Sequence, residues 1–491
     1  MRWLVLVHRY LGIFIGILMA GWCLSGIVMM YVGYPELTRE DRLRGLSPVD
    51  LKSCCSIPND ALADNDRISS FQLEMLGAHP ILRLQVADGA SRMIDLIEGK
   101  PVAGTTTQQA QQVARSYGSG TGVNPQSPLL DGTIDYDQWT VAGISHRERP
   151  LYRFATGDAS GTELYVSVHS GRLVQQTTAR QRFWNWVGAV PHWLYFADLR
   201  RNVRAWSQVV IWTSLAGCFL TLTGLYLGIQ RFLSLPAGRW SPFRGLLLWH
   251  HVPGLVAGLL ALTWVASGLI SMNPWGFLDS SGAQGEGAQS EVLSGVQVKD
   301  SIRALTRTAA PPPNTVSVDS APFHDYLFLV ATTAAGVRTR LDATGATRPL
   351  TQDNVAERLR DLNVDRSSVT LDLIHSEDAY YFSHHRDTAQ LPVYRAVLGD
   401  EQKTRYYIDP VTGATLARVD ADSRWYRWLH EGLHRMDFTP ALRTRPLWDV
   451  IMLILMSGVA MITCTGAVLG IRRLRPRSAV DLRAQHATRQ N

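Results

Sequence analysis

Two pairs of histidines stand at one fixed spacing in this chain. His8 and His250 are 242 residues apart, and so are His192 and His434. A neutral imidazole offers a nitrogen lone pair to a metal. Two of them can share one metal only if they are brought together. Two further histidines rival the pairs. His251 adjoins His250, and His430 lies four residues before His434, on the same helix face. A third group, His384 and His385, could touch a metal or a substrate, but reads more simply as a solvated turn.

The elements that hold these histidines are apolar and long. Four runs stand out in the 491 residues: Trp3–Val32, Trp206–Ile229, Gly245–Met272 and Leu447–Ile471. Each exceeds the ~20 residues that cross ~30 Å of hydrocarbon. The chain therefore reads as a membrane protein with four transmembrane α-helices. The divisions are a span at 1–32, an outside segment at 33–181, an interfacial segment at 182–205 and a span at 206–230. A short loop follows at 231–244, then a span at 245–272 and a second outside segment at 273–423. An interfacial segment at 424–446, a span at 447–471 and a tail at 472–491 complete it. The short loop carries Arg231, Arg239 and Arg244 and no acid, and the tail begins IRRLRPR. Arginines of this kind mark the cytoplasmic side, which puts both termini inside and both long segments outside. The first run is too long for a cleavable signal, so it is expected to stay as an anchor. The net charge of +6 follows from these arginines and does not call for nucleic acid.

The spacing of 242 extends well beyond the histidines. It matches Gly12 with Gly254, Gly16 with Gly258, Trp22 with Trp264, Ser25 with Ser267, and Gly26 with Gly268. It also matches Tyr152-Arg153 with Tyr394-Arg395, Tyr165 with Tyr407, and Thr223-Gly224 with Thr465-Gly466. One register over so much chain argues for a duplicated unit of span, outside domain, interfacial helix and span. Two copies of one orientation pack about a pseudo-two-fold axis along the membrane normal, giving parallel pseudo-symmetric repeats.

Near such an axis matched residues can face each other. Two facing neutral imidazoles suit the axial positions of a b-type haem iron. His8/His250 and His192/His434 are then the ligands of two haems, with His251 and His430 as rivals. Gly12 and Gly16 share a helix face with His8, as Gly254 and Gly258 do with His250, and small residues leave room for a flat macrocycle. The bland reading is a hydrogen-bonded interfacial histidine beside a small-residue packing stripe. No C-x-x-C-H occurs, so covalent haem attachment is excluded. The five cysteines form neither a disulfide framework nor a metal knuckle, and no nucleotide-binding glycine motif is present.

The outside segments read as small α+β domains. The first shows strands at ILRLQVA, SRMIDLI, DQWTVAG, PLYRFATGD and TELYVSVHSGRLV, with a helix at TTTQQAQQVARSYG. The second repeats the pattern with DYLFLVA, VRTRLDA, the helix TQDNVAERLRDL, then DAYYFS, LPVYRAVLGD and TRYYIDPVTGATL.

With these residues in view, the chain resembles the PepSY-associated transmembrane proteins, a family of iron-regulated, siderophore-reductase-like membrane proteins. The resemblance rests on HRYLGIFIGILMAGWCLSGIVM and its copy, on PHWLYFADLRRNVRAWSQVVIWTSLAGCFLTLTGLYLGI, and on LPVYRAVLGDEQKTRYYIDPVTGATLARVDADSRWYRWLHEGLH. It implies two periplasmic PepSY-like domains, a bacterial inner-membrane location and two haem b groups ligated by His8, His250, His192 and His434. It further implies electron flow from a quinol or flavoprotein to a periplasmic acceptor such as a ferric siderophore, with no residue assigned to catalysis beyond the haem ligands. The alternative is a non-enzymatic membrane protein whose PepSY-like domains bind or regulate a periplasmic partner. A transporter is disfavoured because the spans hold almost no ionisable groups. Trp184, Trp186, Trp193, Trp425 and Trp428 read as an interfacial aromatic belt.

Overall fold

The computed structural model describes residues 2–52, 54–121, 128–278, 292–307, 311–324, 326–361, 369–383 and 388–474. His384 and His385 lie outside these residues, as does most of the basic tail. The chain forms two compact units. One comprises Met1–Tyr34, Phe183–Leu278 and Trp425–Asn491; the other comprises Pro35–Arg182 and Asp279–Arg424.

The first unit is built on four long helices, Arg2–Met29, Val203–Leu233, Leu246–Ile270 and Leu447–Leu474. All four are long and apolar enough to cross a membrane. The first and third each pack against the second and the fourth. Cys23 of the first, Ala257 and Ala261 of the third, and Met452, Met456, Val459 and Ile462 of the fourth form one buried apolar cluster. The opposite faces stay apolar and open: Phe14, Val256 and Ile454 are all more than 60% exposed. A helix apolar all round needs a nonpolar surrounding on every side, which a bilayer supplies.

Short helical pieces lead into the second and fourth long helices. Before the second they are Ala179–Val187, Ala189–Trp193 and Ala197–Arg200, of which the first begins in the other unit. Before the fourth, Ala421–Tyr426 runs into a π-helical turn at Arg427–Gly432, then Leu433–Arg435 and Pro440–Arg443.

The second unit carries the sheets. Strands β1 (Arg67–Leu76), β2 (His79–Val86), β3 (Ser91–Asp95) and β4 (Lys100–Pro101) come from the first segment. They are followed by β5 (Leu129–Ile134), β6 (Leu151–Ala155), β7 (Glu163–Ser167) and β8 (Leu173–Thr177), which form a four-stranded sheet in that order. The second segment supplies β9 (Leu293–Ser294), β10 (Thr315–Phe323), β11 (Tyr326–Thr333) and β12 (Arg338–Leu341). Its own four-stranded sheet is β13 (Val369–Ile374), β14 (Val393–Leu398), β15 (Arg405–Ile408) and β16 (Thr415–Val419). The hairpins of both segments merge into one sheet, ordered β12-β11-β10-β1-β2-β3-β4, through antiparallel pairing of Leu73 with Val318. Corresponding strands there are 247 residues apart: Leu76 pairs with His79 as Phe323 pairs with Tyr326.

Two expected strands are turns. In DQWTVAG the Asp137 carboxylate accepts the Trp139 N–H at 2.9 Å and the Tyr165 hydroxyl at 2.8 Å. In DAYYFS the Asp378 carboxylate accepts the Tyr380 N–H at 2.8 Å and the Tyr407 hydroxyl at 2.8 Å. A side chain that captures the backbone two residues on competes with the sheet ladder. The strands lie just upstream, as β5 and β13. Cys54 and Cys55 form a vicinal disulfide, and Cys23, Cys218 and Cys464 are free.

Candidate functional site

The four paired histidines form two layers in the helical unit. In the first layer the His8 and His250 rings have centroids 6.5 Å apart. In the second, the His192 and His434 centroids are 6.2 Å apart. Two imidazoles on opposite sides of one metal, each bonded at about 2 Å, have centroids roughly 6 Å apart. The layers are well separated. His8 and Ser25, which bonds His192, are 17 residues apart on one helix, as are His250 and Ser267 on another. At 1.5 Å per residue this is about 26 Å.

In the first layer each imidazole is anchored by the neighbouring long helix. His8 Nδ1 lies 3.2 Å from the Leu220 carbonyl and 3.3 Å from Thr223 Oγ1. His250 Nδ1 lies 3.0 Å from the Ile462 carbonyl and 3.2 Å from Thr465 Oγ1. Against a carbonyl, Nδ1 must carry the proton and donate. Nε2 then holds the lone pair, and it has no hydrogen-bond partner among the described residues in either ring. This tautomer is the one a metal ligand needs, with the second nitrogen fixing the ring. Glycine makes the fit possible. A Cβ at Gly224 would stand 2.7 Å from His8 Cε1, and one at Gly466 would stand 3.0 Å from His250 Cε1.

The glycine stripe beside these rings is partly open. Gly16 is buried, yet a Cβ there meets no atom within 4 Å, and a Cβ at the half-buried Gly254 likewise meets none. At Gly12 the nearest atom is Leu220 Cδ1 at 3.7 Å. Gly258 differs: a Cβ there would stand 2.6 Å from Leu225 Cδ2, which fills the space, so this glycine serves helix packing.

In the second layer the relation is reversed, with the anchors on the long helices and the imidazoles on the short pieces. His192 Nδ1 lies 2.9 Å from the Trp22 carbonyl and 3.3 Å from Ser25 Oγ. His434 Nδ1 lies 3.0 Å from Ser267 Oγ. Burial holds the His192 imidazole below its ordinary value, with the Trp22 carbonyl partly opposing. Burial, then the neighbouring His430 and His192, lower His434 to about 3. Both rings are therefore neutral at physiological pH, the state in which an imidazole ligates a metal. The indole N–H groups of Trp22 and Trp264 are buried without a partner among the described residues. Each is an unspent donor of the kind that costs about 1–3 kcal/mol if left dry.

The rivals occupy distinct places. His430 Nδ1 donates to the Ser267 carbonyl at 3.0 Å, and its ring sits 5.3 Å from that of His434 on its own segment. The ring of the other half that neighbours His434 is His192. His251 uses Nε2 toward the Gly228 carbonyl at 3.1 Å and stacks edge-on to Phe243. Trp184, Trp186, Trp193 and Trp425 are exposed.

No family model matches the chain. No curated protein matches it either.

The sequence does not show the matched bonds at matched positions, although their residues are in register. Ser25, Ser267, Thr223 and Thr465 anchor imidazoles, and Gly224 and Gly466 make space for them. A hydroxyl or glycine recurring beside a recurring histidine is the available signal.

Proposed function

We propose that the chain is a bacterial inner-membrane electron-transfer protein that holds two haem b groups, one in each histidine layer. The observation that carries this reading is the pair of ring separations, 6.5 and 6.2 Å, at four imidazoles positioned through Nδ1. When bound, haem supplies one-electron transfer between donor and acceptor. The remaining work belongs to the chain. His8 and His250 would hold one haem and His192 and His434 the other, each through two imidazoles, which would keep small molecules from the metal. The Leu220 and Ile462 carbonyls, with Thr223 and Thr465, hold the first pair in the ligating tautomer. Trp22, Ser25 and Ser267 do this for the second. Gly16 and Gly254, on the helix faces of His8 and His250, have no atom within 4 Å of where a Cβ would stand.

The layers are set about 26 Å apart along the helices, close to the ~30 Å of a hydrocarbon core. A quinol or flavoprotein donor on the arginine-rich side and a periplasmic acceptor on the other fit this span. The resemblance to PepSY-associated siderophore-iron reductases favours a ferric siderophore as that acceptor, and makes the sheet-bearing unit periplasmic. Protein reconstituted into vesicles with a reduced donor on one side and a ferric chelate on the other tests the reading. Ferrous iron should form across the membrane at a rate that falls to the protein-free level in His192→Ala. Equal rates in both preparations would contradict it.

A further inference from the structure

In the sheet-bearing unit, β2, β3 and the turn after β3 bring three metal-binding side chains together. His79 opens β2, Asp95 closes β3, and Glu98 lies on the turn toward β4. One ligand atom from each lies within 4.8 Å of the others, the one such group among the described residues. His79 Nδ1 is 2.6 Å from Asp95 Oδ2. Two donors on one ion at about 2.1 Å stand at most about 4.2 Å apart. A closure of about half an ångström therefore completes the set, and the exposed Glu98 is free to supply it.

The bland account is that Asp95 caps its turn, since Oδ1 accepts the Ile97 N–H at 2.8 Å and the Glu98 N–H at 3.2 Å. The β11–β12 hairpin separates the two roles. There Asp342 caps the corresponding turn, accepting from Thr344 N at 2.9 Å and Ala346 N at 3.1 Å. That hairpin carries Tyr326 where the first has His79. The cap thus needs the aspartate alone, and His79 and Glu98 are additions that the turn does not require. Asp95 Oδ2 and His79 Nδ1 now share a proton at 2.6 Å, and an ion between them would take that proton's place.

We propose that His79, Asp95 and Glu98 form a binding site for a divalent first-row transition ion. One imidazole nitrogen and two carboxylate oxygens make a mixed donor set. It suits zinc, ferrous iron or manganese better than calcium, which takes oxygen alone. Three protein donors leave coordination positions for water or a bound ligand.

The test uses untagged full-length protein in detergent, stripped of loose metal with a chelator. Cobalt(II) binding is measured by equilibrium dialysis with elemental analysis of the bound cobalt, which is then displaced with zinc(II). The wild type should bind one ion that His79→Tyr does not, and Glu98→Gln should weaken that binding at least tenfold. His79→Tyr installs the residue the other hairpin tolerates, and Glu98 is exposed, so neither change threatens the fold; a thermal melt on each variant verifies this. Equal stoichiometry and affinity in all three proteins would overturn the proposal, as would no cobalt binding by the wild type. Haem content plays no part in the readout, so the electron-transfer reading and this site stand or fall separately.

Discussion

The two histidine layers solve one problem with opposite arrangements. In the His8/His250 layer the imidazoles project from long helices and are anchored by the Thr-Gly dipeptides of neighbouring long helices. The two halves nearly coincide, with Nδ1 bonds of 3.2 and 3.3 Å in one and 3.0 and 3.2 Å in the other. In the His192/His434 layer the imidazoles sit on short pieces and lean on serines of the long helices. Here the halves diverge. A π-helical turn at Arg427–Gly432 makes room for His430 beside His434. The other half has Gly188, where a Cβ would stand 3.0 Å from the Trp184 carbonyl and 3.1 Å from Val28, so no third imidazole fits. π-Turns recur at functional sites. The buried Arg427, bonded to Asp437, adds charge to that half. Asn185, bonded to the Gly33 carbonyl, stands at the corresponding place in the other. The first layer is thus the symmetric one, and the second is where the two halves differ.

Replacing the four proposed ligands one at a time should have the largest effect. His8→Ala or His250→Ala should abolish one haem, and His192→Ala or His434→Ala the other, so each variant retains about half the wild-type haem per chain by pyridine haemochromogen assay. Variants of one layer that lost both haems would show that the layers are not independent.

Glycine substitutions sharpen the contrast in steps. Gly224→Ala should displace His8 most, then Gly466→Ala, with Gly268→Ala mildest because its Cβ would clear His434 by 3.8 Å. Overpacking of this kind costs about 1–3 kcal/mol. Thermal denaturation with haem retention should follow that order, and a flat series would remove the steric account of the Thr-Gly dipeptides.

His430 probes the asymmetry itself. His430→Ala should keep two haems and both low-spin signatures, while shifting the midpoint potential of one. Loss of a haem would make His430, rather than His434, the partner of His192. The smallest effects belong to the serines. Ser267→Ala should cost about 1 kcal/mol of stability. Ser25→Ala should cost less, because His192 keeps its 2.9 Å bond to the Trp22 carbonyl.

Much of the helical unit is legible in the residues. Apolar runs mark the four long helices within a few residues, and one repeated spacing singles out His8, His192, His250 and His434. Their anchors are not legible, because a carbonyl leaves no mark in sequence and Thr223 or Ser25 reads as ordinary polar filling. Gly258 looks like part of the open stripe, yet Leu225 fills its space. In the sheets, Asp137 and Asp378 turn expected strands into capped turns. The β1–β10 pairing, which joins residues some 245 positions apart, has no local signal at all.

The central claim is that the chain holds two bis-histidine haems. It is tested most directly by the dithionite-reduced minus oxidised optical spectrum of the purified full-length protein, with haem quantified per chain. The account predicts a b-type α-band and two haems per chain, reduced without a high-spin signature. A colourless protein, or one whose haem content is unchanged in both His8→Ala and His192→Ala, would contradict it.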